Sequence, residues 1–433
     1  MRHVPSVTRL RHWLVSAAIG LTLIGTAPVA VAQGVDAPDA GGTASQALAP
    51  TPAPTRARAA LNRRVFDQVW SEVQHSYYDP TLHGVDWRAA RARFRPVALA
   101  APDDRRLYGV LDQMLDLLDD DHAAVAPPAV ARRQDRLRQR RAVIGLILYP
   151  EDAGVYRIDR VRPGSPAEEA GVGVGWRLDS QGDQGWSPDR DVVGGQALTL
   201  RFTDPAGDPR LVTLVPREMD PTPAFVADRS RRGVLVLTIE GFEAGLGRWM
   251  GEQLAEVDPD TDVVLDLRGN PGGLLLEADA VLSCFLPERQ PWATRTSRSG
   301  RAVSMRIRSG CGDLTEPVAN DLAVLVDASS RSAAELTPAA LQEARRALIV
   351  GQRTGGAVLI SQDSRLPDGG RLTLSRADFV TSGGVRLEKH GVLPDLTVAE
   401  TRQDRGDAQL DAAVSALRNG QASQTALAAT IPT

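Results

Sequence analysis

From Leu61 to about Val125, apolar residues recur every three or four positions. Val65, Phe66, Val69, Trp70 and Val73 form one stripe, the pattern of a helix buried along one face. Asp79-Pro80 breaks it. A second helix is predicted to begin near Asp86. A third runs from Asp103, with Leu107, Val110, Leu111, Met114, Leu115 and Leu118 on one side. It leads into Asp119-Asp120-Asp121 and His122, and Pro127-Pro128 stops any continuation. Residues 141–218 change character. Short β-branched runs such as VIGLILY and VYRIDRV are cut by Gly, Pro and Asp turns, which predicts a small barrel or sandwich. Residues 225–400 alternate strand-like runs (GVLVLTI, DVVLDL, DLAVLVD, ALIVG, RLTLSRADFV) with helical ones (LGRWMGEQLAEV, LEADAVLSCFL, AAELTPAALQEARRA). Such alternation predicts a layered α/β core.

The ends read differently. Arg2, Arg9 and Arg11 precede an uncharged run, and Ala30-Val31-Ala32 offers a small-x-small cleavage site. Residues 1–32 therefore read as a secretory signal peptide, with an uncleaved anchor as the alternative. Residues 33–60, rich in Ala, Pro, Gly and Thr, read as a flexible linker. The resulting order is a helical domain at 61–135, a β module at 140–218, a core at 225–400, and a C-terminal helix and tail at 401–433.

Length and charge narrow the function. A chain of 433 residues suits two to four domains. A net charge of −4 excludes a strongly basic nucleic-acid binder, and 4% aromatics argue against a stacking surface for single strands. The two cysteines, Cys284 and Cys311, are too few for a zinc cage; in an exported protein they are free to pair. Lys389 is the only lysine.

Four constellations carry possible chemistry. In Asp266-Leu267-Arg268-Gly269-Asn270-Pro271-Gly272-Gly273 a strand ends and a glycine loop leads to a helix. No Lys-Ser/Thr pair follows, so it is not a phosphate loop; backbone donors for an oxyanion and a plain tight turn both remain open. Ser332, at a strand-to-helix junction, suits an exposed nucleophile or, with Glu335, a capping box. His122 is a candidate base or a charge at a helix end. Arg386 to Asp395 form a polar turn bearing Glu388, Lys389 and His390.

Residues 140–218 resemble a PDZ domain. The segment GSPAEEAGVGVGWRL matches that family's short helix and turn, and Gly145, Leu146 and Ile147 match its carboxylate-binding loop. The resemblance implies capture of a peptide C-terminus by strand addition. From about Phe66 to Val398 the chain resembles the S41 serine peptidases, the C-terminal processing and tricorn-core group. The motifs FDQVWSEV…YYDP…GVDW with MLDLLDDDH, DLRGNPGG, and SSRSAAEL…RRALIVGQRTGG…GVLPDLTV appear in family order. The fold implied is multidomain α+β, with an N-terminal helical region, a PDZ-like β module and a ClpP/crotonase-like α/β peptidase core.

By that resemblance Ser332 is the nucleophile, and Ala333 with Gly272 or Gly273 supplies the oxyanion donors. The lysine used by one branch of the family falls at Ala357 here. The tricorn-like branch uses a histidine and a glutamate, which fall at His122 and Glu388. Asp121 stands where that branch has serine. It either steadies the imidazole or marks the loss of a relay. The expected function is an exported endopeptidase or C-terminal processing protease, periplasmic or secreted, acting on protein substrates. No cofactor, metal or nucleic acid is expected, and a membrane partner only if the N-terminal segment stays uncleaved. The alternatives are a non-catalytic peptide-binding scaffold, a Ser–Lys variant using Lys389, and His390 as base.

Overall fold

The computed structural model describes residues 53–136, 140–152, 155–179, 192–399 and 407–420. The signal-like segment, residues 33–52 of the expected linker, and the tail from 421 lie outside the described residues.

The first helix, α1 (Arg56–Ser76), starts inside the segment read as linker, because the Thr55 hydroxyl caps it by accepting the Arg58 N–H. Asp86 caps α2 (Trp87–Leu99) and Asp103 caps α3 (Asp104–Leu115) in the same way. Val65, Phe66, Val69 and Val73 of α1 pack with Leu107, Leu111, Met114 and Leu115 of α3. A 3₁₀ turn (Asp116–Leu118) ends at Asp119, whose φ of 47° breaks the helix. His122 therefore lies in a turn before β1 (Ala124–Ala126), not at the end of the helix as the sequence suggested. Pro128, read as a stop, also opens α4 (Pro128–Arg136), where a missing N–H costs nothing.

The β module follows. It comprises β2 (Arg141–Val143), β3 (Leu146–Asp152), β4 (Val155–Val161), α5 (Pro166–Glu169), β5 (Arg177–Asp179), β6 (Leu198–Thr203), β7 (Pro209–Leu214) and β8 (Arg217–Met219). Strands β3 to β7 form an antiparallel sheet in chain order, and β2 pairs with β8 where the chain enters and leaves. Ile158, Leu178, Leu200, Phe202 and Leu214 fill its own small core. Among the described residues, β3 is an edge strand.

The remaining elements are β9 (Phe225–Asp228), β10 (Val234–Ile239), α6 (Leu246–Ala255), β11 (Asp262–Asp266), α7 (Leu275–Ser283), β12 (Pro291–Ser297), β13 (Ala302–Arg306) and β14 (Leu322–Val326). After these come α8 (Ala333–Glu343), β15 (Leu348–Gly351), β16 (Ile360–Arg365), β17 (Arg371–Thr381), β18 (Leu396–Thr397) and α9 (Ala408–Arg418). One sheet runs β18-β15-β14-β11-β10-β9, parallel except for β9. It is covered on both faces, which is why its strands read as continuous apolar runs. Leu246, Met250, Val281 and Leu341 from α6, α7 and α8 lie on one face, and Leu410, Ala413, Val414 and Leu417 of α9 on the other.

A second, antiparallel sheet runs β1-β17-β12-β13, with β16 also on β17. Its long strand β17 alternates buried and half-buried positions over most of its length, while β13 and β16 are half-buried or exposed. In the β17 part of this sheet, Leu372 and Leu374, with Leu366 just before that strand, complete the core of the helical region. The region expected at 61–135 is thus not closed on itself; β1 pairs with β17, Ala124 opposite Thr373, and brings His122 to the core.

Cys284, at the end of α7, and Cys311 form a disulfide. The bridge spans 27 residues. Replacing both cysteines by alanine is expected to lower the unfolding free energy by about 3 kcal/mol, measured by urea denaturation of the variant and of the disulfide-bonded parent.

Candidate active site

Strands β11 and β14 are neighbours, and the loops at their C-terminal ends are tied to one carboxylate. Asp327 Oδ1 accepts the Gly269, Ser329 and Ser330 N–H groups at 3.0, 2.9 and 2.9 Å. Ser330 Oγ donates to Leu267 O at 2.8 Å, and the Arg331 N–H donates to Asn270 O at 3.0 Å. The crevice beyond the strand ends is where open α/β sheets place ligands. Arg268 anchors the same corner through Asp266 at 2.6 Å and through Asp407, the cap of α9, at 2.6 Å.

Ser332 begins α8 with φ 55° and ψ −118°, a left-handed conformation rare for a residue with a side chain. Gly272 (φ +97°) lies directly against it. A Cβ there would stand 2.7 Å from Ser332 Cβ and 3.0 Å from Ala333 N, so only glycine fits. The Gly272 N–H donates to Asn270 Oδ1 at 2.7 Å. Among the described residues the amides of Gly273 and Ala333 make no such bond. Of the two glycines read as oxyanion donors, Gly272 therefore shapes the loop and Gly273 keeps its amide free.

A buried carboxylate absent from the sequence-derived site holds Ser332 in place. Glu335 Oε1 accepts Thr354 Oγ1–H at 2.6 Å and the Gly356 N–H at 2.7 Å; Oε2 accepts the Ala357 and Ser332 N–H groups at 2.8 and 3.1 Å. Burial raises its pKa and these donors oppose the rise. The sequence offered Glu335 only as a cap. The long-range half of its role, to residues 354–357, leaves no local pattern.

The loop after β15 brings in the next group. Glu388 Oε2 accepts the Val358 N–H at 2.9 Å, while Oε1 is buried without a partner. Burial, reinforced by Asp120, pushes the Glu388 carboxyl up to about 7. His122 Nε2 and Asp120 Oδ2 are likewise buried and unpartnered. Burial lowers the His122 pKa; Asp120 and Asp121 pull it up, and Arg331 and Lys389 push it down. Glu388 thus lies beside the loop bonded to Ser332, and the charges of Arg331 and Lys389 bear on His122.

Asp121, expected near the imidazole, raises the His122 pKa and also meets the lysine of the Glu388 loop. Its Oδ2 faces Lys389 Nζ at 3.2 Å, and Asp119 lies 3.8 Å from the same nitrogen. Asp120, 1% exposed, is the acid next to the histidine: its Oδ1 accepts the His122 N–H at 2.8 Å. A run of three aspartates gives no sequence signal for which one turns inward. His390 is exposed, and its Nδ1 meets Glu388 O at 2.8 Å. Ala357 is buried, its amide bonded to Glu335. Among the described residues no His/Cys/Asp/Glu cluster has the makings of a metal site. In the β module, Gly145 packs against Ser165, and Leu146 and Ile147 begin β3.

Glu388 makes folding pH-dependent. Its folded pKa of about 7 exceeds the unfolded value of 4.5, so the unfolded chain releases the proton first. This group's contribution is complete below pH 4.5 and is lost as pH rises to 7, by at most about 3 kcal/mol. Glu388→Gln keeps an acceptor for Val358 and carries no charge. Relative to the parent it is expected to gain stability between pH 5 and pH 8, measured by urea unfolding at each pH.

Comparison with known proteins bears on the family and the fold. Residues 233–398 match peptidase family S41, and residues 59–116 match the tricorn protease C1 domain. A carboxyl-terminal-processing protease of Picosynechococcus sp. is 26% identical over 351 residues, covering 77% of this chain and 82% of its own. One from Synechocystis sp. is 28% identical over 390 residues, covering 83% and 88%. The fold resembles that of a photosystem II D1 C-terminal processing protease, with TM-score 0.54 and 22% identity, covering 78% of this chain and 93% of that one. A crystal structure of the tricorn protease superposes with TM-score 0.51 and 15% identity, over 85% of this chain and 37% of that one. With residues 233–398 matched by the S41 family model and residues 59–116 by the tricorn C1 model, this chain carries a serine peptidase core of family S41.

Proposed function

We propose that this serine-type peptidase is exported and processes the C-termini of protein substrates, with Ser332 as nucleophile. Ser332 Oγ attacks the scissile carbonyl. His122 takes the proton as general base and returns it to the leaving amine. Burial favours the neutral imidazole that this step requires. Glu388 and Asp120 stabilise the imidazolium that forms. The Ala333 and Gly273 amides receive the oxyanion. The observation that carries the reading is the packing of Gly272 against Ser332 and the Ala333 amide, because it brings the free donors of two loops to one hydroxyl-bearing residue.

The β module is read as a PDZ domain. Its edge strand β3, preceded by the tight Gly145 turn, suits strand addition by a substrate C-terminus through the backbone of Leu146 and Ile147. The Cys284–Cys311 bridge favours an oxidising compartment, periplasmic or secreted, and with it export. Lys389, engaged with Asp121 and Asp119, acts as a clamp between the His122 and Glu388 loops rather than as the base.

Ser332→Ala is expected to abolish turnover of an unfolded protein substrate, and fluorophosphonate labelling at Ser332 to disappear with it. A folded parent protein that neither labels nor cleaves would instead be a peptide-binding scaffold. For the parent enzyme, kcat/KM is expected to rise with pH along a limb set by His122, below the usual histidine value. Asp120 raises the His122 pKa, so Asp120→Asn shifts that limb to lower pH. Asp121→Asn shifts it less. The pH–rate profiles of the three proteins measure the order.

A further inference from the structure

Arg331, the residue before Ser332, differs from the structural arginines of this chain. Arg268 is held by Asp266 and Asp407, Arg376 by Glu72, and Arg386 by Asp378. Arg331 has no carboxylate partner among the described residues, and its Nε is buried without any hydrogen-bond partner. Its backbone is fixed by Asn270 O, and its stem and Nε lie against Gly355, within 3.1 and 3.3 Å of where a Cβ would stand. Its charge reaches His122. A half-buried, unpaired guanidinium beside the nucleophile is costly to keep, and it is complementary to a planar anion.

We propose that Arg331 is a substrate-binding residue that takes a carboxylate of the departing fragment. The inference rests on the peptidase reading above. His122 must face the leaving amine to protonate it. Arg331 precedes Ser332 and its stem lies against Gly355, so its guanidinium borders the nucleophile and is assigned to that leaving-group side. The ligand is a carboxylate, either the substrate's own C-terminus or an acidic side chain just beyond the cut. A guanidinium binds either with two parallel N–H···O bonds. Arg353, exposed on the loop that carries Gly355 and also without an ion pair among the described residues, adds a second cation nearby. Occupancy also changes the chemistry. A bound anion offsets the push of Arg331 on His122, so the imidazole becomes a stronger base when substrate is present.

The test uses the full-length protein and fluorogenic peptides ending two residues beyond the scissile bond. One is a free acid, one its amide, and one an amide with glutamate in the departing dipeptide. At pH 8, where His122 is neutral in every form, the free acid is expected to exceed the plain amide in kcat/KM by about tenfold or more. Arg331→Gln is expected to bring the two within about twofold, while Arg331→Lys, which keeps charge without the fork, retains part of the preference. Recovery of the rate by the glutamate peptide identifies any nearby carboxylate as the ligand; no recovery identifies the terminal one. With the free acid, the acid limb of kcat is expected at higher pH than that of kcat/KM, and with the amide the two coincide. Equal turnover of acid and amide by the parent enzyme, or an unchanged preference in Arg331→Gln that still labels at Ser332, overturns the inference and leaves the peptidase reading standing. Absence of both cleavage and labelling in the parent overturns both.

Discussion

The site depends on one buried carboxylate. Glu335 gathers an N–H from Ser332, N–H groups from Gly356 and Ala357, and the Thr354 hydroxyl. Four donors on two oxygens define a rigid geometry, because each oxygen would be costly to leave partly satisfied in a buried setting. The consequence is a fixed angle between the start of α8 and the loop after β15. That angle sets the unusual φ of Ser332, which the Ala357 carbonyl reinforces by accepting the same Ser332 N–H at 2.8 Å. Glu388 inherits the arrangement, since the Val358 amide it accepts is the next one along the loop.

Electrostatics completes what this scaffold begins. Asp120, His122 and Glu388 each bury a polar atom with no partner. In a structural network such atoms would be penalised. In the proposed reaction these atoms are the ones that would exchange a proton or meet a substrate. The cost is contained by the long ion pair from Lys389 to Asp121 and Asp119, which clamps two segments 268 residues apart at the edge of the site. Being partly exposed, that pair contributes little energy of its own. Its value is positional; within it Asp121 favours and Lys389 opposes protonation of His122.

Much of this was legible in residue order. The continuous apolar runs of β10, β11, β14 and β15 identify strands covered on both faces, and the glycine loop and Ser332 identify the crevice at their ends. The strands β12, β13 and β16 were not anticipated: β13 and β16 alternate exposed polar positions with few apolar ones, and their pairing with β17 is tertiary. The choice of Asp120 over Asp121 was equally hidden. It is made by the left-handed Asp119 and by β1 pairing with β17, which together decide which carboxylate of the run turns inward. Glu335 was visible as a cap, yet its reach to residues 354–357 is a property of the folded chain.

The shared core of the helical region explains why His122 reaches the site at all. Leu366, Leu372 and Leu374 belong to the same apolar cluster as Phe66, Val69, Leu111 and Met114. A helical domain with a core of its own could dock in several orientations, and inter-domain contacts usually permit motion. Here helices and second sheet are buried in one another, so the turn carrying Asp120 and His122 is fixed by core packing rather than by a surface contact. The β module has its own core and is joined to the rest of the chain at β2 and β8, which pair with each other. Core packing thus fixes the turn of Asp120 and His122, whereas the β module, packed on a core of its own, carries β3 as an edge strand among the described residues.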